Sequence, residues 1–241
     1  MERPSPQSWL HRLFRPRFSL RTLLIGMALV GAGFGMFQRL DRQRQLVARI
    51  EAAGGHCDYD TKPPSSRSYV DKCFRRWLPQ SYFDPVCSVV FGLDGPNAEE
   101  LDEILVHVSE LKSLESIGLW HAPVTDESIA QLVAIKSLSA LSLDDTLIGD
   151  KGLSHLAELK SLGSISLTNT RVTDAGLRHL AEMKSLWSLH LQYTQVSDAG
   201  ISHLTELKSL RYLYLNHTQV SAVGIQQLKT ALPNCKIVVP K

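Results

Sequence analysis

A four-residue phrase, Leu-Lys-Ser-Leu or a one-residue variant of it, returns every 24 residues along this chain. It stands at Leu111-Lys112-Ser113-Leu114, Ile135-Lys136-Ser137-Leu138, Leu159-Lys160-Ser161-Leu162, Met183-Lys184-Ser185-Leu186 and Leu207-Lys208-Ser209-Leu210. A fixed period of this length means one supersecondary unit stacked on its own copies, because a unit so small buries its apolar face only against a neighbour. A stack of this kind offers a long ordered surface rather than a closed cleft, so the chain reads as one that binds.

One copy, residues 159–182 (LKSLGSISLTNTRVTDAGLRHLAE), shows how the unit is built. Leu162, Ile165 and Leu167 end in an apolar/polar alternation of period two, the mark of a short strand with one buried face. Thr173-Asp174 supplies a helix start, and Leu177, Leu180 and Ala181 follow at the spacing of one helical stripe. The unit is therefore strand, loop, helix. Its buried columns run in register: Ile117/Leu141/Ile165/Leu189/Leu213 and Leu119/Leu143/Leu167/Leu191/Leu215 in the strand, Val124/Ile148/Val172/Val196/Val220 in the loop. The helix adds Ile129/Leu153/Leu177/Ile201/Ile225 and Leu132/Leu156/Leu180/Leu204/Leu228. Stacking lays the strands side by side in a parallel sheet about 4.8 Å apart, with the helices on the outer, convex side. Thr146, Thr170, Thr194 and Thr218 are placed to bond backbone groups of neighbouring loops. Gly152, Gly176, Gly200 and Gly224 sit early in each helix, where a larger side chain would push helix from loop.

Charge is unevenly spread. Residues 1–50 carry nine Arg against Glu2 and Asp41; taking these from the totals of 26 basic and 24 acidic groups leaves 17 and 22 in residues 51–241, a net of −5. The repeats are thus mildly acidic, which argues against nucleic acid as a partner. The basic N-terminus instead flanks an uncharged apolar run, 22–37 (TLLIGMALVGAGFGMF), extended past Arg21 by Leu20. At sixteen residues it is short for a spanning helix, though Arg21 and Arg39 widen the span by snorkelling. A single-pass membrane anchor is the preferred reading, with a cleaved signal peptide and a buried core helix as alternatives. Five Arg precede the run and four follow it closely, which places the N-terminus in the cytoplasm and the repeats outside it. Gly31 and Gly35 have the spacing that lets two such helices approach, so a self-associating homo-oligomer, an envelope component without a separate ligand, stands as the second reading. If the repeats are exported, a disulfide among Cys57, Cys73 and Cys87 would staple the region before them, against free buried thiols as the alternative; Cys235 lies far off. The cysteine spacings match no zinc pattern.

The pattern L-x-x-L-x-L-x-x-T-x-V-[ST]-D-x-G-[LI]-x-H-L over about residues 111–239 resembles the leucine-rich-repeat family. Its period and T-D-x-G-L segment are most similar to the cysteine-containing subclass, here with Thr at the Cys/Asn position. The first unit departs from it at His121-Ala122-Pro123, and residues 231–239 resemble the closing strand of such arrays. The layout of RFSLRTLL, apolar helix, Gly54-Gly55-His56-Cys57-Asp58-Tyr59-Asp60 and repeats is similar to membrane-anchored bacterial leucine-rich-repeat proteins. The resemblance implies an α/β fold, a right-handed solenoid with a parallel sheet on its concave side and short convex helices, preceded by a single transmembrane helix. It also implies a module that binds proteins or peptides and is not an enzyme. The expected organisation is a basic tail at 1–19, the transmembrane helix at 20–37, a juxtamembrane helix and cap at 38–94, and the repeat domain at 95–241. Its repeats are 111–134, 135–158, 159–182, 183–206 and 207–230, closed by 231–241. Within the cap, 43–53 and 69–78 read as helical, 56–60 and 86–93 as strands, 62–66 as a loop, and 96–110 as the helix before the first repeat.

No catalytic triad, cofactor motif or metal site is found. His155, His179 and His203 share one helix column, which the repeat explains without a metal. Lys112, Lys136, Lys160, Lys184 and Lys208, two residues after Glu110, Glu158, Glu182 and Glu206 in four of the five units, read as a solvated charged edge. The informative residues are those that refuse to repeat. Outward positions of the second and third units are small or acidic, with Asp144 beside Asp145. The last two units place His190, Tyr212, Tyr214 and Asn216 at outward strand positions and add Trp187, Tyr193 and Arg211 from flanking positions, and Tyr, Trp and Arg are the types enriched at binding hot spots. A protein- or peptide-binding patch is the favoured reading, against a bare sheet stabilised by cross-strand ring pairs.

Overall fold

The computed structural model describes residues 38, 41–59, 86–92, 95–111 and 113–239. The chain divides into two compact units, Met1–Arg42 and Gln43–Lys241. The apolar run at 20–37, Cys73 and the expected loop and helix at 62–66 and 69–78 lie outside the described residues. Among the described residues no helix is long and apolar enough to cross a membrane.

The second unit opens with helix α1 (43–52), which buries Leu46, Val47 and Ile50. Strand β1 (His56–Tyr59) follows, antiparallel to β2 (Val86–Phe91) with a register shift between Asp58 and Tyr59. From β2 onward every neighbour is parallel: β3 (Ser116–Leu119), β4 (Ala140–Ser142), β5 (Ser164–Ser166), β6 (Ser188–His190), β7 (Tyr212–Tyr214) and β8 (Lys236–Val238), in the sheet order β1 to β8. The helices between them are α2 (Ala98–Val108), α3 (Asp126–Leu132), α4 (Asp150–Leu156), α5 (Asp174–Leu180), α6 (Asp198–Ile201) and α7 (Ala222–Ala231). The period sets the register: Ile117 faces Leu141, then Ile165, Leu189, Leu213 and finally Ile237. This is an α/β repeat fold with a parallel sheet on one side and short helices on the other, as the leucine-rich pattern implies.

The core is the set of columns. Every strand, loop and helix column residue named above is buried except Val220 and Ile225. These two, with Ile237 and Val239, are half-buried. At the other end α1 and β1 cover the first unit. There β2 and α2 form an atypical unit, with Val89 opposite Ile117 and Leu101, Leu105 and Val108 fully buried.

Three features of the repeat differ from the sequence expectation. The strands are three residues long in most units, so Asp144, Thr168, Gln192 and Asn216 follow the strands rather than lying within them. The backbone ladder nevertheless continues, with Leu167 N–H donating to His190 O at 2.9 Å and Asp145 N–H to Thr168 O at 2.9 Å. The next residue in each unit, His121, Asp145, Asn169, Tyr193 or His217, has φ between 53 and 58°, and this left-handed turn ends the strand. Secondly, the column threonines bond their own unit: Thr146, Thr170 and Thr194 donate to the carbonyls of Leu143, Leu167 and Leu191 at 2.6 to 2.7 Å. A hydroxyl three residues past the strand reaches back to the nearest open carbonyl, so the expected bond to a neighbouring loop does not form.

Thirdly, the units are stitched by two side chains whose reach the sequence did not show. The phrase serine crosses to the preceding unit. Ser161 Oγ donates to Leu138 O at 2.9 Å, Ser185 Oγ to Leu162 O at 2.9 Å, and Ser209 Oγ to Lys184 O at 2.5 Å. The helix-start aspartate accepts from the cap of the following unit. Asp150 takes Thr173 N–H (2.8 Å) and Oγ1 (2.7 Å), Asp174 takes Ser197 N–H (2.7 Å) and Oγ (2.5 Å), and Asp198 takes Ser221 N–H (2.8 Å) and Oγ (2.6 Å). The Ser221 bonds hold the Asp198 carboxyl below its usual value. This column starts in α2, where Asp102 accepts from Ser128 Oγ at 2.6 Å. The column glycines make room for it. A Cβ on Gly152 would lie 2.6 Å from Asp126 Oδ1 of the preceding unit and 2.9 Å from Ile148 Cγ2 of its own loop, so the neighbouring aspartate and the repeat's own loop both exclude a larger residue.

Helix α6 stops after Ile201 and continues as a 3₁₀ turn over Ser202–Glu206. Ser202 Oγ and Thr205 Oγ1 donate to the carbonyls of Ala199 and Ser202, competing with the helical ladder. The lysine ladder is more than a solvated edge: Lys184 and Lys208 Nζ cap the carbonyls of Ala181 and Thr205 at 2.9 and 2.7 Å.

Candidate functional site

The free face of the sheet, opposite the helices, changes character along the stack. Its rows over β4 and β5 carry Ala140, Ser142, Ser164 and Ser166, all half-buried. Over β6 and β7 the same rows turn aromatic at three of four positions, with Ser188 beside Tyr212 and His190 beside Tyr214 in the sheet register.

The seven residues singled out from the sequence resolve into three cross-unit ring pairs and two flanking groups. Trp187 meets Tyr212 edge to face, with centroids 6.3 Å apart and planes at 78°. His190 stacks on Tyr214 at 4.2 Å and 27°. Tyr193 stacks at 4.3 Å and 12° on His217, a partner not anticipated from the sequence. The missed signal is the left-handed column itself: its residues stand at 24-residue spacing and are held with side chains outward at one margin of the face. Arg211 donates to Lys208 O at 3.0 Å and Leu210 O at 3.3 Å and so covers a turn. Asn216 is half-buried, beside the Tyr193/His217 pair, its carbonyl accepting from Tyr193 N–H at 3.0 Å.

The pairs run along the strand direction, from the start of β6 and β7 past their ends. Trp187, Tyr193 and Tyr212 remain 48, 56 and 42% exposed despite pairing. Trp187 leans on Gly163 of the preceding unit, where a Cβ would fall 2.6 Å from its Nε1 and 2.7 Å from Cδ1. Trp120, 42% exposed, rests likewise on Gly92 and Gly118 at the other end of the face. Gly163→Ala is therefore expected to push the Trp187 indole off its seat with little loss of fold. Its tryptophan emission should shift to the red while the far-ultraviolet dichroism stays unchanged; an unshifted spectrum would contradict the seat.

Burial, opposed by the Asp144 charge, holds the His190 imidazole below the ordinary histidine value. The unfolded chain takes up that proton near pH 6.5, so stability falls as pH drops through this range and the His190 contribution is present above it. Asp144 is a hydrogen-bonded node: its Oδ1 accepts from Thr168 N–H at 3.0 Å and from Ser166 Oγ, its Oδ2 from Ser142 Oγ at 3.0 Å. At the margin, Asp145 accepts from Asn169 Nδ2 at 2.6 Å and faces His121 Nε2 at 3.5 Å.

Among the described residues no three His, Cys, Asp or Glu converge as metal ligands. Cys57 and Cys235 are thiols, each pushed up to about 11 chiefly by burial, which disfavours the reactive thiolate. Cys57 is a free thiol in this structure, and Cys87 Sγ donates to Asp58 O at 3.6 Å. An open apolar depression on the outer side of α7, between Ala222, Val223, Gln226 and Thr230, has no titratable lining residue.

No protein-family model matches the chain, and no curated protein matches it. Solved structures do. An internalin of Listeria monocytogenes is 22% identical with a TM-score of 0.42, covering 56% of this chain and 46% of its own. An LRR protein of Leptospira interrogans is 19% identical with a TM-score of 0.43, covering 62 and 48%. An internalin C2 of Listeria monocytogenes is 16% identical with a TM-score of 0.48, covering 81 and 92%. This chain spans about half the length of the first two of these similar structures.

Proposed function

We propose that this chain is a membrane-anchored leucine-rich-repeat module that holds a protein or peptide against the β6–β7 part of its free sheet face and performs no chemistry itself. The observation that carries the reading is the contrast along one scaffold. Core columns repeat from unit to unit, whereas the outward face switches from small residues to paired rings, of which Trp187, Tyr193 and Tyr212 stay 48, 56 and 42% exposed. Ring pairing for sheet stability alone would favour covering these rings, while hot-spot aromatics await a partner that removes the remaining water. The 20–37 run supplies the anchor, and the arginine count supports an extracytoplasmic face.

Replacing His190, Tyr212 and Tyr214 together by alanine is expected to abolish capture of the partner that wild-type chain retrieves by cross-linking from its native membrane. Thermal unfolding should stay within a few degrees of wild type, a shift of roughly 1 kcal/mol. Undiminished capture would sink the patch. A reporter fused after Lys241 that is active in the cytoplasm would overturn the orientation.

A further inference from the structure

The strands β3 and β6 are three spacings apart, about 14 Å, and the face between them is floored by Ala140, Ser142, Ser164 and Ser166. In the rows of this face from β3 to β7 (residues 116, 118 and 120 and their equivalents), Asp144 is the single Asp, Glu, Lys or Arg. Its three hydrogen bonds come from neutral donors, two hydroxyls and one backbone N–H. Among the described residues no Lys or Arg pairs with it. A carboxylate offers about four lone-pair sites, so Oδ2, with one donor, keeps room for another. A carboxylate on a floor of small side chains, beside a wall of rings and with Asp145 at the margin engaged by Asn169 and His121, is complementary to a cation on a long apolar stem.

We propose, building on the binding reading above, that the face selects a peptide segment presenting an arginine or lysine. Its cationic head pairs with Asp144, and its methylene stem lies over Ser166 toward the His190–Tyr214 stack. His190 makes the capture pH-sensitive. It faces Tyr214 on β7, Ser166 on β5 and the Asp144 charge after β4. Neutral at pH 7, it becomes on acidification a second cation competing for the same carboxylate, so binding weakens as the pH falls.

Panning a random dodecapeptide phage library against the full chain in detergent tests this. Enriched peptides should carry a basic residue well above its input frequency. Each should bind roughly tenfold more weakly to Asp144→Asn, as expected for one lost charge-assisted bond. Asp144→Glu, which keeps the charge, should keep the bias, and binding should fall from pH 7.5 to pH 5 in wild type but not in His190→Gln. Matching thermal melts certify the fold of each variant. Enrichment without basic bias, or an indifferent Asp144→Asn, overturns the cation selection while leaving the binding face standing. Equal enrichment on the His190, Tyr212 and Tyr214 triple-alanine chain overturns the face itself, and the selection with it.

Discussion

Gly176→Ala should destabilise the solenoid even though alanine is the better helix former. Propensity favours alanine by up to about 1 kcal/mol. The added Cβ, however, would meet Asp150 Oδ1 at less than contact distance, with Leu153 Cδ1 at 2.9 Å and Asp150 Cγ at 3.1 Å. That carboxylate is pinned by Thr173 N–H and Oγ1 at 2.8 and 2.7 Å and does not swing aside freely. Overpacking of this kind costs about 1–3 kcal/mol, so the clash outweighs the propensity. Asp150→Ala removes both bonds and leaves the Thr173 N–H without its acceptor, at about 1–3 kcal/mol. The double variant is expected to lose less than the sum, with a coupling of about 1 kcal/mol or more, because the alanine at 176 then occupies the space the carboxylate left. Equilibrium urea unfolding of the four chains measures this. Strict additivity would mean that glycine and aspartate do not share the site.

The largest loss is expected at Ile201. It is 1% exposed and lies between Leu177 and the half-buried Ile225 of the same column. Ile201→Ala opens a cavity against units on both sides and should cost about 2–5 kcal/mol. Ile225→Ala, one unit on, removes a side chain that is already half-buried and should cost clearly less. In a stack held by nearest-neighbour interfaces, the interior variant should also uncouple the last unit from the rest and broaden the transition. Thermal melts of the two variants decide it; equal losses would contradict the difference in burial between the two positions.

How much of this was legible in the sequence depends on which interaction placed each residue. The core columns were readable because burial is a matter of period: Ile117, Leu141 and Ile165 repeat every 24 residues and pair in that register. The stitching was not. Ser161 and Asp150 look like a turn residue and a helix-start residue, and only stacking shows that their partners are Leu138 in the unit before and Thr173 in the unit after. The helix-start aspartate was read through the dipole of its own helix, whereas most of its bonds go to the next cap. On the face, residue types announced Trp187, Tyr212 and Tyr214, but the Tyr193–His217 pair depended on a left-handed backbone that composition does not encode. Nor does the sequence around Gly163 show that Trp187, one unit on, is seated on it.

On the proposed reading, repetition builds the scaffold and the non-repeating face does the binding. Site-specific photo-cross-linking in the native membrane, with benzoylphenylalanine at position 212 or 193 on the face and at 229 on the outer helix, tests it most directly. A discrete adduct with another protein from positions 212 and 193, absent from 229, is the predicted result. Adducts from 229 alone, or adducts only between copies of this chain, would contradict it.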